Sequence, residues 1–343
     1  MALLGFDIGG TKCVLVVADH TSRIFARSRI PMAFSGDWRV DLERLVESAR
    51  ALLREAPLSG PLERVGVAAP GPVDLRSGVL LNPPNLPGWR DVPLRSVLAE
   101  AFGVPVQIEN DANAAALAEH RFGAGRGVRD MVHLTMSTGV GGGVICNGEL
   151  VRGASGFAGE LGHLPIVRGG RRCACGLRGC LEAYVGGHAW ARRLRRVAPQ
   201  TSRVVQRAAA ERAPIGPEHL LAAARDGDAF ARGELERWLD HLALGIVPLV
   251  MAFDPERIVL GTIAVAAGDA LCFAPLRERV AARVWPHQAA RLAIVPAELG
   301  DVLPERAALA VAAAEAGGTE RVPSGSGEPA GGCTPDRARI PDR

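Results

Sequence analysis

No window of the sequence reaches the roughly 20 apolar residues that a membrane-spanning helix needs. The opening MALLGFDIGG has no basic leader, and Asp7 interrupts its apolar run, so no secretory signal is read there. Lysine is scarce and arginine carries the basic charge. A net charge of +3 is too small to point to a nucleic-acid partner. At 48% hydrophobic and 22% charged residues the chain lies outside the disordered range. What remains is a globular protein expected in the cytoplasm, where stable disulfides are rare. Its 343 residues suffice for two domains with separate cores.

Leu3–Phe6 and Cys13–Ala18 read as two strands joined by the glycine-rich turn DIGGTK. RIFARSRIPM offers a third strand, and Asp41–Glu55 has helical apolar spacing. RVGVAAPG reads as a buried strand, LNPPNLPGW as a loop, VPLRSVLAEAFG as a short helix, VPVQIEND as a strand and Ala112–Phe122 as a helix. The opening pattern then recurs: MVHLTM as strand, STGVGGG as turn, VICNGELV as strand. Beyond it a helix is expected over Leu181–Val197, a polar stretch over Pro199–Ala213, and helix from PEHLLAAAR to LVMAFDP. RIVLGT and LAIVPAEL read as late strands, and Pro304–Ala316 as a last Ala-rich helix. From Gly317 the chain has almost no apolar residues and reads as a disordered tail. This alternation indicates an α/β protein with two related lobes and a ligand cleft between them.

Both glycine loops suit phosphate, because glycine lets backbone N–H groups converge on an anion. A plain hairpin turn explains either loop in isolation. Neither is a P-loop or a dinucleotide fingerprint. The first adds Asp7, Thr11 and Lys12, residue types that serve a phosphate–Mg²⁺ site. In IENDANAAALAE, Asn110 and Asp111 stand between strand and helix. They read equally as a helix cap and as a carboxylate at the cleft able to take a proton from a hydroxyl.

Seven cysteines are present. Cys13, Cys146, Cys272 and Cys333 are scattered and read as small buried hydrophobes. Cys173, Cys175 and Cys180 cluster in ELGHLPIVRGGRRCACGLRGCLE, which also holds His163 between Glu160 and Glu182. A disulfide pair with one thiol left over, a redox centre and a metal clip are the candidate readings. No C-x-x-C is present, and one imidazole with three thiolates makes a Cys₃His set, the closed tetrahedral form of structural zinc.

DIGGTK, APGPVD, NLPGW, ENDANAAALAE, TGVGGG, GELGH and CACGLRGCLE occur in this order over roughly residues 4–300. Together they resemble the ROK family of bacterial sugar kinases and sugar-responsive repressors, most closely its glucokinase-like members. The resemblance implies a two-lobed actin-like ATPase (ribonuclease H-like) fold, each lobe a mixed sheet with helices. Residues 1–109, completed by a last helix at about 303–317, would form the small lobe. Residues 110–302 would form the large lobe with the zinc motif, and 318–343 the tail.

The resemblance also implies roles. Asp7, Gly9, Gly10, Thr11 and Lys12 match one phosphate loop, and Thr138, Gly139, Gly141, Gly142 and Gly143 the other. Asn110 and Asp111 match the sugar-binding pair, with Asp111 the general base. Glu160, His163 and Glu182 match sugar-hydroxyl ligands, and Gly71 and Asn85 lie on loops lining the sugar pocket. His163, Cys173, Cys175 and Cys180 match the zinc ligands. If one ring nitrogen of His163 binds zinc, the other can donate to a sugar hydroxyl. Three stretches depart from the pattern. Gly261-Thr262-Ile263 stands where the family has consecutive glycines near the nucleotide base, DVLPERAALA replaces a glycine-rich helix start, and Met136-Ser137 precede the second loop. The implied function is an ATP- and Mg²⁺-dependent hexose kinase, glucose first, acting as a homodimer without nucleic-acid or membrane partners. Other expectations are an N-acetylhexosamine, fructose or other hexose kinase, polyphosphate as donor, or a catalytically weak sugar sensor. A repressor is disfavoured because only six residues precede Asp7.

Overall fold

The computed structural model describes residues 2–58 and 60–314. The expected tail, Cys333 and the end of the last expected helix lie outside the described residues. The first half contains β1 (Ala2–Ile8), β2 (Lys12–Asp19), β3 (Ile24–Pro31), α1 (Trp38–Glu55), β4 (Leu62–Ala69), the small hairpin β5 (Val73–Asp74) and β6 (Val79–Leu80), α2 (Leu94–Phe102) and β7 (Val106–Asn110). α3 (Asp111–Phe122) leads into β8 (Met131–Met136), β9 (Val140–Cys146) and β10 (Glu149–Leu150). The helices α4 (Glu182–Val185), α5 (Gly187–Val197), α6 (Arg203–Ala210), α7 (Pro217–Arg225) and α8 (Ala229–Phe253) follow. β11 (Arg257–Leu260), α9 (Ile263–Gly268), α10 (Ala274–Ala281), α11 (Pro286–Arg291), β12 (Ala293–Pro296) and α12 (Leu303–Ala313) complete the chain.

The two halves repeat one topology. Five-stranded sheets run in the orders β3-β2-β1-β4-β7 and β10-β9-β8-β11-β12. In each, three strands form an antiparallel meander and the last two add in parallel. β1 and the centre of β2 are buried on both faces, as strands covered on both sides must be. No helix among the described residues is long and apolar enough to cross a membrane.

Small residues bring the two sheets together. α12 lies across β1 and β4 because Gly5 and Gly66 leave room: a Cβ at Gly66 would stand 2.2 Å from the Ala312 nitrogen, and one at Gly5 2.7 Å from Ala308 Cβ. α12 also packs on α3, where Ala114 and Ala118 meet Ala307, Ala310 and Val311. α3 in turn rests on β9, since Cβ atoms at Gly141 and Gly143 would come within 2.9 and 2.6 Å of Ala112 and Ala116 Cβ. The buried Glu119 of α3 ties this joint to the chain around it. Its carboxylate accepts from the Ala124, Glu298 and Leu299 N–H groups at 2.9, 3.2 and 3.0 Å.

Several expected elements differ. The glycines of STGVGGG are not all turn, because Gly141, Gly142 and Gly143 pair in β9 with Thr135, Leu134 and His133. The expected 181–197 helix is broken at Gly186, whose ψ of 141° is extended. The polar 199–213 stretch holds α6, and the long helix divides at Asp226-Gly227 into α7 and α8. α9, α10 and α11 fill the stretch between RIVLGT and LAIVPAEL, for which sequence spacing assigned no element.

Gly66→Ala is expected to destabilise the protein by about 1–3 kcal/mol, the usual cost of overpacking. The measurement is denaturant unfolding, and an unshifted midpoint would mean that α12 does not sit on β4.

Candidate active site

Asp7 lies near the end of β1, and the turn after it is closed by the Gly9 N–H donating to the Lys12 carbonyl at 2.9 Å. Gly10 serves close approach, since a Cβ there would lie 2.8 Å from the Asn85 carbonyl oxygen. The Asn85 loop is pinned by Leu86 and Trp89, both 1% exposed, and by Trp89 Nε1–H donating to Asp41 Oδ2 at 3.2 Å. Lys12, the only lysine of the chain, stands exposed at the start of β2.

The second hairpin turns over Ser137–Gly139. Glu182 holds it, its Oε2 accepting from the Val140 N–H at 2.9 Å. The broken helix docks here as well. The Gly187 and His188 N–H groups donate to the Ser137 and Thr138 carbonyls at 2.8 and 2.9 Å, and a Cβ at Gly187 would lie 2.3 Å from the Ser137 oxygen. That contact, rather than helix propensity, sets the break.

At the start of α3 the cap is Asn110. Its Oδ1 accepts from the Ala112 and Asn113 N–H groups at 2.9 and 3.4 Å. Asp111 is the first helical residue, and its Oδ1 accepts from the Ala112 N–H at 2.8 Å. The cap is therefore Asn110, while Asp111 faces the cleft. The buried Glu109 steadies them: its carboxylate accepts from the Asn110 N–H, the Asn113 amide and Arg152 Nε at 3.1, 3.1 and 2.7 Å. Arg152 thereby clamps the chain leading to Glu160 against β7. Nothing in its sequence context marked it.

His163, Cys173, Cys175 and Cys180 converge, with one donor atom of each within 4.8 Å of every other. Zinc–sulfur bonds of about 2.3 Å in a tetrahedron imply sulfur–sulfur edges of about 3.8 Å. Cys175 and Cys180 Sγ are 3.8 Å apart, and Cys173 Sγ is 3.7 Å from His163 Nδ1. This spacing fits a Cys₃His zinc site and is too long for a disulfide. The other ring nitrogen of His163, Nε2, faces Glu160 Oε2 at 3.9 Å. Glu182 Oε1 lies 3.4 Å from Cys173 Sγ. The cluster thus touches both carboxylates that bracket it.

These parts border one cleft of about 930 Å³, lined among others by Asp7, Gly71, Asn85, Asn110, Asp111, Thr138, Gly139, Gly141, Glu160, His163, Cys175 and Glu182. A recess of about 90 Å³ beside Asp111 adds Asn113, Gly142 and Gly159, and Phe157 borders both. Asn113 Oδ1 is buried there without a partner. Gly9, Gly10, Thr11 and Lys12 lie on the turn beyond Asp7, outside that lining. Gly143 is taken up by packing against α3, and Cys173 and Cys180 sit behind the wall. Gly261 caps β11, its N–H donating to the Leu134 carbonyl at 2.8 Å.

The next residue is conformationally strained. Thr262 adopts φ 52° and ψ −102°, a conformation that favours glycine and strains a β-branched side chain. A hydrogen bond of 2.9 Å between its hydroxyl and that of Thr135 holds it there. Thr262 and Ile263 face a second pocket of about 390 Å³, between Thr138, His188, Glu218 and Leu221.

Burial raises the Asp7 pKa from 3.8 to about 7, with Asp111 adding repulsion that Lys12 partly offsets. Asp111 borders the cleft, and desolvation by the protein around it raises its pKa as well. The Ala112 N–H opposes that rise and the Glu160 charge adds to it. A cleft with this much acid favours cations and protons.

Two sheets of one topology, joined by small-residue helices and facing one cleft with a glycine hairpin on each side, define the actin-like ATPase fold. A ROK hexokinase from Thermus thermophilus has this fold, with a TM-score of 0.74 and 37% identity over 91% of this chain and 98% of that one. A ROK glucokinase from Streptomyces griseus, solved with glucose and AMPPNP, has a TM-score of 0.70 and 32% identity over 91% and 99%. A glucokinase of Thermotoga maritima is 37% identical over 290 residues, 83% of this chain and 89% of the relative. Residues 3–315 match the ROK family, and the chain belongs to it.

The Asp7 shift has a measurable consequence. The unfolded carboxyl ionises near 3.8 and the folded one only near 7, so its contribution to stability is full below pH ~4 and is lost as pH rises through ~7. Without divalent cations, Asp7→Asn is expected to melt with the wild type at pH ~4 and above it at pH ~8. Parallel melting curves across that range would remove the basis for a buried acid at this position.

Proposed function

We propose that this ROK sugar kinase works in the cytoplasm and transfers the γ-phosphoryl group of ATP to the 6-hydroxyl of glucose. The observation that carries the reading is the division of labour at α3: Asn110 caps the helix, leaving the Asp111 carboxylate open to the cleft and less acidic than usual. The hydroxyl oxygen bonds to the γ-phosphorus as its bond to the bridging oxygen of ADP breaks, and the hydroxyl proton passes to Asp111. A raised pKa makes that carboxylate a better proton acceptor. Positioning and charge stabilisation supply most of the rate.

Gly71, Asn85, Asn110, Glu160, His163 and Glu182 would hold the sugar hydroxyls, and the recess at Asn113 offers one further acceptor. Both glycine hairpins, with Thr11, Lys12 and Thr138, would hold phosphate oxygens. The base would enter the pocket at His188, Leu221 and Ile263. Mg²⁺ held by Asp7, directly or through water, would neutralise phosphate charge. Zinc on His163, Cys173, Cys175 and Cys180 would fix the cleft wall that carries Glu160 and Glu182. Residues 1–109 with the last helix, and residues 110–302, are the two bodies whose closure would exclude water. A homodimer is the assembly that the family resemblance implies.

A coupled assay with glucose and MgATP tests the reading directly, and absence of turnover would return the chain to the sugar-sensor class. Asp111→Asn is expected to lower kcat by about 10²–10⁴-fold with glucose affinity retained. Near-normal turnover would exclude Asp111 as the base.

Metal analysis is expected to find about one zinc per chain, and Cys175→Ser is expected to lose both zinc and sugar affinity. A zinc-free wild type with full activity would overturn the structural role.

A further inference from the structure

Behind the cysteine loop lies a second cavity, of about 550 Å³, separate from the cleft except for Ala174, which borders both. Five arginines line it: Arg171, Arg172, Arg192, Arg193 and Arg196. Arg171 and Arg172 come from the strap before Cys173, the other three from α5. Arg192 and Arg196 are four residues apart, a spacing at which like charges on a helix repel.

Little in the protein offsets this charge. Among the described residues the only carboxylate bonded to these arginines is Glu234, which takes Arg193 in a two-pronged contact of 2.6 and 2.8 Å and also binds Arg237. Arg171 is fixed by stacking 4.5 Å over the Tyr184 ring and by donating to the Ala183 carbonyl at 3.3 Å. Arg172, Arg192 and Arg196 are exposed, and among the described residues none of their guanidinium groups is hydrogen-bonded.

We propose that this cavity is a binding site for a compact phosphate polyanion, outside the active-site cleft. Guanidinium forks match phosphate oxygens two at a time, and a concave cluster of one sign concentrates anions of high charge. The volume falls in the range of small-ligand sites, about 300–1,000 Å³. Oligophosphates, phosphate esters and free phosphate share this chemistry. A second copy of the chain presenting an acidic surface is the competing occupant. The site is independent of the kinase reading, because none of its arginines borders the cleft.

The test measures thermal stabilisation and binding by calorimetry at fixed ionic strength, with tripolyphosphate, glucose 6-phosphate and inorganic phosphate as separate ligands. Wild type is compared with R192Q/R196Q and, independently, with R172Q. Phosphate sites in the cleft contribute equally to all three proteins. The expected result is a saturable effect of at least one ligand, its affinity cut tenfold or more in the double variant and less in R172Q, with kinetics in the absence of that ligand unchanged. The ligand with the largest effect identifies the source. Equal effects in wild type and variants, or no saturable effect from any of the three, would overturn the proposal. So would a change of oligomeric state in R192Q/R196Q without an anion-dependent difference, which would assign the face to a second copy.

Discussion

The architecture depends on two helices that carry almost no side-chain bulk where they meet. α3 and α12 touch through alanines, α12 lies on the first sheet over Gly5 and Gly66, and α3 lies on the second over Gly141 and Gly143. Interiors pack at near-crystalline density, so one added methyl group at such a crossing must displace a helix. This joint sets how the two glycine hairpins face each other. Glu119 shares its carboxylate among three backbone N–H groups at the joint, where an unpaired buried donor would be costly.

The site follows from where those helices begin. α3 starts at the end of β7, so its cap and first residue fall at the cleft. Capping by Asn110 leaves Asp111 with one free carboxylate oxygen, and the Glu109–Arg152 pair holds that end of the strand against the chain leading to Glu160. On the opposite wall, Glu182 accepts from the glycine hairpin on one side and meets the cysteine cluster on the other. His163 faces the thiols with Nδ1 and Glu160 with Nε2. Side chains distant in sequence thus belong to one mechanical unit.

The parts legible in the sequence were those whose chemistry is local. Strands and helices with regular apolar spacing were readable, and so was the Cys₃His set, because ligand identity and number are written in order along the chain. From residue types and spacing alone the roles of Asn110 and Asp111 were not separable, since both types cap helices and both bear suitable oxygens, and only the family resemblance pointed to Asp111 as the base. The glycine run at 141–143 looked like turn because glycine signals freedom. In the fold those glycines are strand residues kept small by a helix lying on them. The break at Gly186 falls at a Gly-Gly pair, a turn signal outweighed by the helical spacing around it, and the positive φ of Thr262 had no sequence signal. One comes from a contact with Ser137, and the other is held by a hydrogen bond from Thr135.

The sequence by itself determined the regularly spaced strands and helices, the duplicated strand–glycine–strand pattern, the family and which residue types are candidates for proton transfer, phosphate and metal, because each is carried by residue identity and short-range spacing. The tertiary structure decided which oxygen of which carboxylate is free, which glycines turn and which make room, and that Arg152 and Glu109 brace the site. It also decided that five arginines from two segments share one cavity. Those are matters of distance between chain segments far apart in order. Close packing and the need to pair every buried polar group fix such distances only when the whole chain is folded.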